Sequence, residues 1–282
     1  MHKLFALSLF LCCSLSFACE GFLPPNDLLL PPSDKNEGLS EIEYEEVISK
    51  IERIYSSVAR ENDAVLKLQR QWASPRVNAG TYRDERNKQW LVNLYGGLAR
   101  HPFMTLDGYA LVICHEIGHH LGGAPKKTLE ERPFWPSSEG QADYWATLKC
   151  LRRIFKREDN MLAIKDLVIP AIVSKECENS FTNKDLSTLC IRIALAGQAV
   201  SKISASVRAT PNPEFETPDL SIVTQNFEKH PLPQCRLDSY FQGALCPQLM
   251  EEAVSQEDAR RGTCHPENGF QTGLRPLCWY RP

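Results

Sequence analysis

His115-Glu116-Ile117-Gly118-His119 lies in the middle third of the chain and decides how its surroundings are read. Residues four apart share one face of a helix, so both imidazoles can reach a single metal ion. Neutral imidazole nitrogen is a good zinc ligand. Glu116 projects beside that face, where its carboxylate can accept a proton from a water polarised by the metal. The pattern HExxH therefore points to zinc-dependent hydrolysis. Leu111-Val112-Ile113 supplies an apolar helical approach and Gly122-Gly123 a stop. A helix is expected over residues 105–121, starting near Thr105 or Asp107. A surface helix carrying two incidental histidines is the competing reading.

Two histidines do not complete a catalytic zinc site, which needs three protein ligands and one open position. The best third ligand is Glu139, in Ser138-Glu139-Gly140-Gln141-Ala142-Asp143-Tyr144-Trp145. It follows HExxH by one proline-bearing loop and opens a helix expected over residues 139–155, capped by Ser137 or Ser138. Asp143 lies four residues on and shares a face with Glu139. Metal-bound imidazoles usually donate their second N–H to a carboxylate, and Asp143 can take that supporting place. An exposed acidic helix face is the alternative.

Outward from this centre, residues 41–60 carry Ile42, Val47, Ile51, Ile54, Tyr55 and Val58 at helical spacing. Residues 66–72 alternate as a half-buried strand does. Residues 89–95 are the stronger strand, broken by Gly96-Gly97. A third long helix is expected over residues 185–204, while residues 166–174 are apolar but of unclear type. The fold class is α+β: a mainly helical, zincin-type metallopeptidase domain over residues 41–205 with a small sheet. Residues 206–282, rich in proline and cysteine, read as a disulfide-pinned C-terminal tail of loops packing on that domain.

Residues 1–18 read as a signal peptide, with Lys3 before an apolar run and Ser16-Phe17-Ala18 as a small-x-small cleavage site. Leu15 to Cys19 also forms a loose lipobox with Leu one position early, which makes Cys19 a lipidation candidate. Proline-rich residues 19–40 read as an extended linker, a spacer from such an anchor. No later segment looks long and apolar enough to span a bilayer, so the mature chain is expected to be soluble or tethered by its N-terminus. The net charge of −3 gives no reason to expect capture of nucleic acid or an anionic membrane.

Beyond Cys19, the eight cysteines Cys114, Cys150, Cys177, Cys190, Cys235, Cys246, Cys264 and Cys278 make an even set, as in an exported, disulfide-bonded protein. Short separations suggest Cys177–Cys190, Cys235–Cys246 and Cys264–Cys278, with Cys114–Cys150 left over. Sequence alone does not fix that connectivity. The compartment expected is the periplasm or outer envelope.

HExxH followed by Glu139-x-x-x-Asp143 resembles the gluzincin metallopeptidases of the HtpX and CAAX-prenyl-protease type, nearest their soluble periplasmic members. Val77-Asn78-Ala79 looks like the family's Asn-Ala strand, and Gly97-Leu98 like its Gly-Leu after the edge strand. Asp107 and Ala110 lead into HExxH at similar spacing. His230-Pro231 with Arg236-Leu237 is similar to the family's His-Pro and Arg-aliphatic stretch. Gln141 stands where the family often has a glutamate, and the cysteine-rich tail has no counterpart there.

The resemblance implies a zinc endopeptidase with His115, His119 and Glu139 as ligands, Glu116 as general base and Asp143 in support. It places His230 near the metal, able to stabilise an oxyanion or occupy the open position, with Arg236 shaping that wall; Tyr144 is a second oxyanion candidate. An unfolded or extended peptide would pair with strand 89–95, if that strand is a sheet edge. Two rival classes are an envelope chaperone or assembly factor with a latent, His230-gated zinc site, and a purely structural disulfide protein.

Overall fold

The computed structural model describes residues 21–33, 35, 37–130 and 132–282. The signal segment and Cys19 lie outside the described residues. Helix α1 (Glu41–Glu61) starts at a capping box in which Ser40 and Glu43 satisfy each other's backbone N–H. Its apolar stripe buries Tyr44, Val47, Ile48, Ile51 and Tyr55.

Strands β1 (Val65–Gln71), β2 (Ala79–Asp84) and β3 (Gln89–Tyr95) form one sheet in the order β1-β3-β2. β3 pairs parallel to β1 and antiparallel to β2, with Val92 opposite both Leu68 and Thr81. β3 is thus the central strand, not the expected edge. A strand with neighbours on both sides has no free main-chain groups for a peptide. The outer strands are β1 and β2. The short helix α2 (Gly96–Ala99) then leads to α3 (Leu106–Leu121), where Thr105 caps the start through Gly108 N–H.

The expected loop after α3 is instead a second, two-stranded sheet, β4 (Lys126–Leu129) with β5 (Arg132–Ser137). Next, α4 (Glu139–Trp145) runs through a π-helical turn (Ala146–Cys150) into α5 (Leu151–Phe155), where one long helix was expected. Helices α6 (Asn160–Ile164), α7 (Ala171–Ser180), α8 (Lys184–Arg208) and α9 (Pro233–Leu245) complete the fold. The molecule is α+β, with α3 at its centre between α1, α4, α8 and the sheet. Against expectation, α8 is long and apolar enough to cross a membrane, but 72% of its apolar window is buried, which makes it a core helix.

Four disulfides staple these elements: Cys114–Cys150, Cys177–Cys190, Cys235–Cys278 and Cys246–Cys264. They indicate an oxidising, exported environment. The first two pairs are those expected. The other two replace Cys235–Cys246 and Cys264–Cys278. The reason is α9: Cys235 stands in its first turn and Cys246 just past its end. Eleven helical residues separate them by about 16 Å, far beyond disulfide reach.

Two expectations about the flanks change. The tail is not all loop, since α9 packs on α8 and α4. Nor are residues 21–30 a free spacer: Phe22 and Leu23 are fully buried in the main core.

Candidate metal centre

His115 and His119 occupy the last two turns of α3, and Glu139 is the first residue of α4. Gly118 makes their convergence possible. A side chain there would stand 3.1 Å from Ala142 O, so only glycine lets α4 approach this closely without displacing it. Gly140 serves the same purpose on the other face, where a Cβ would lie 2.2 Å from the indole of Trp279. Trp279 is buried, and its Nε1–H donates to Ser239 Oγ at 2.8 Å.

Donor atoms of His115, His119 and Glu139 all lie within 4.8 Å of one another. His115 Nε2 is 3.1 Å from His119 Nε2 and 3.2 Å from Glu139 Oε2; His119 Nε2 is 3.6 Å from Glu139 Oε1. Ligands of a tetrahedral ion with bonds of about 2.0–2.1 Å stand roughly 3.3 Å apart, so this spacing fits one small cation. The far sides of the rings agree. His115 Nδ1 meets Asp143 Oδ1 at 2.6 Å and His119 Nδ1 meets Ser137 O at 2.8 Å. Both partners are acceptors, so both Nδ1 atoms carry protons and the Nε2 atoms turn to the common centre. Glu139 Oε2 is buried there with no hydrogen-bond partner among the described residues. These residues therefore suit a metal ion.

Asp143 is the hub behind His115. Arg236 grips it through Nε and Nη2 at 2.9 and 2.8 Å, and Tyr240 O–H donates to Oδ1 at 2.7 Å. All three are buried. Arg236 thus orients the carboxylate behind the ligand, and its Nη1 donates to Phe22 O at 2.7 Å. His230 Nε2 lies 3.5 Å from Glu139 Oε2 and 2.6 Å from Gly21 O. Tyr144 is corrected: its hydroxyl donates to Gly273 O at 2.5 Å inside a second core formed with Trp279 and four cysteines, away from the histidines.

Three contributors carried no recognisable motif. Lys127 Nζ donates to Glu139 Oε1 at 2.6 Å from the β4–β5 hairpin. Tyr240 and the Ser137 carbonyl are the others. Only Tyr240 left a trace, since it follows Arg236 by four residues on one helix face. His120, which the sequence leaves without a role, is stacked between Trp90 and Trp135 at 4.7 and 4.8 Å and bonded to Thr81. It fastens the hairpin and β2 to α3.

The ligand triad and Glu116 have no exposed surface. Burial opposes charge on His115, but the Asp143 and Glu139 carboxylates outweigh it and raise its pKa to about 9. Burial lowers His119 to about 3. Burial pushes Glu116 up to about 7, opposed by His115 and assisted by Glu139. Both Glu116 oxygens lack a hydrogen-bond partner among the described residues. A carboxyl poised near neutrality can both take and give a proton.

Comparison of the chain with family models, with curated proteins and with solved structures finds no match.

Proposed function

We propose that the chain is an exported zinc metalloendopeptidase of the cell envelope, allied to the HtpX-type gluzincins that its motifs resemble. The observation that carries this reading is the convergence of His115, His119 and Glu139 beside Glu116, a buried carboxyl with no hydrogen-bond partner among the described residues. Such a carboxyl is costly in a purely structural protein and useful in a hydrolase. The two-imidazole, one-carboxylate donor set supports zinc as the ion.

When bound, zinc lowers the pKa of water and polarises the scissile carbonyl. The chain does the rest. Glu116 accepts the proton of the attacking water and passes it to the leaving amine nitrogen. Asp143, held by Arg236 and Tyr240, keeps the proton on His115 Nδ1 and the ring in place. His230 offers a hydrogen bond to the carbonyl oxygen as it becomes negative. An extended peptide pairs with the outer edge of β2, where main-chain bonds demand little sequence preference. Its setting is the periplasm or outer envelope, with any tether at the N-terminus through Cys19.

The test is cleavage of unfolded casein by zinc-loaded protein. Glu116→Gln keeps one zinc per chain and loses hydrolysis by several orders of magnitude. His119→Ala loses both. Equal rates for wild type and Glu116→Gln refute the mechanism. The alternative, an envelope chaperone or assembly factor with a latent site, is favoured by one observation: the ligands and Glu116 are sealed from solvent.

A further inference from the structure

The seal over the metal centre includes the chain's own N-terminal segment. Gly21 O accepts from His230 Nε2 at 2.6 Å, and Phe22 O accepts from Arg236 Nη1 at 2.7 Å. Phe22 N–H donates to Ala79 O at 2.9 Å, at the start of the outer strand β2. The Phe22 ring stands edge-on to the His115 imidazole at 5.0 Å, under the Arg236 guanidinium at 4.3 Å, with no exposed surface. Leu23 exchanges two hydrogen bonds with the Asn78 side chain and Asn26 Nδ2 donates to Val77 O at 3.3 Å, and a groove of about 730 Å³ lies between the segment and β2. It returns at Leu29, bridged antiparallel to Arg76, and Leu30 O is held by Arg100.

These contacts are the ones a bound peptide needs. They comprise main-chain pairing at a sheet edge, carbonyls gripped by side chains of the site, and one large apolar side chain in a pocket beside a metal ligand. We propose that residues 21–30 are an intramolecular pseudo-substrate, a strap that fills the peptide cleft and must leave before substrate enters. Resting on the hydrolase reading for what it displaces, this also names the substrate class: extended polypeptide with a large apolar residue at the Phe22 position. The strap's far end suits release, because residues 31–33 are exposed and carry no side chain into the core.

A recognition sequence for a specific protease, inserted between Pro32 and Ser33, allows the strap to be cut in the folded, disulfide-bonded protein. A Phe22→Ala version weakens its hold. Three readouts follow: retention of the fragment on gel filtration, binding of a fluorescent peptide GFLPPNDLLL, and the rate at which excess chelator removes zinc. The expected results are release of the fragment from the cut F22A protein, rebinding of one peptide per chain, and metal loss at least tenfold faster than before cutting. The same peptide with aspartate replacing its phenylalanine should not bind. A fragment that stays on the cut F22A protein, unfolding upon its release, or unchanged chelation after release each overturns the strap. An opened protein that rebinds the peptide but leaves casein intact, or that binds no zinc, sinks the hydrolase reading and leaves the strap standing.

Discussion

Glu116 should cost the metal-free protein stability, and the cost should depend on pH. Burial raises its pKa from the ordinary 4.5 to about 7. In the unfolded chain the group ionises near its ordinary value; in the folded chain it keeps its proton until neutrality. Between those limits the unfolded state binds fewer protons, so stability falls as pH rises, by about 1.4 kcal/mol per unit. The total is about 3 kcal/mol, reached just above pH 7 and constant beyond. Glutamine cannot ionise. Glu116→Gln should therefore match wild type near pH 4.5 and exceed it by about 3 kcal/mol at pH 8. Urea unfolding of both proteins, metal-free and with disulfides intact, measures the gap across that range. A gap that stays constant within about 1 kcal/mol would mean that the carboxylate is solvated or paired in the folded protein. The buried, partnerless base would then be refuted without any assay of hydrolysis.

Asp143→Asn removes the charge that Arg236 and His115 share, and should lower metal affinity 10- to 100-fold by isothermal titration; it also leaves Arg236 buried and unpaired, at about 3–5 kcal/mol in urea unfolding. Metal uptake at pH 7 should release a proton from His115, whose pKa is raised to about 9, so apparent affinity should climb about tenfold per pH unit up to that value. Calorimetry in buffers of different ionisation heat counts that proton, and finding none contradicts the assignment. Non-reducing peptide mapping should show Cys235 linked to Cys278 and Cys246 to Cys264. Loss of either bridge by paired Cys→Ser substitution should cost about 3–4 kcal/mol, from loops of 43 and 18 residues.

The residues that bind by side chain on a periodic element were readable in advance. His115, His119, Glu139 and Asp143 advertise themselves through four-residue spacing. What escaped was of three kinds. Ser137 contributes a backbone carbonyl, which no residue type signals. Lys127 works from a hairpin whose Pro133 and Pro136 read as irregular loop, although proline is tolerated in an edge strand. α9 was hidden by Pro231 and Pro233, read as turn formers. Pro233 is instead at the first helical position, where its missing N–H costs nothing. With α9 overlooked, Tyr240 could not be placed and the spacing of Cys235 to Cys246 looked bridgeable. Proline content likewise disguised residues 21–30 as a spacer, because composition averages away the two buried side chains, Phe22 and Leu23, that anchor them.

The position of Trp279 against Gly140 ties α4 to the segment that the Cys235–Cys278 bridge holds. The Cys278 thiol beside that indole must pair with Cys235 before the wedge is fixed in place. Assembly of the candidate metal centre thus waits on oxidation. A reduced chain lacks that fastened wedge beside Gly140, so the geometry around Glu139 should settle only where disulfides form.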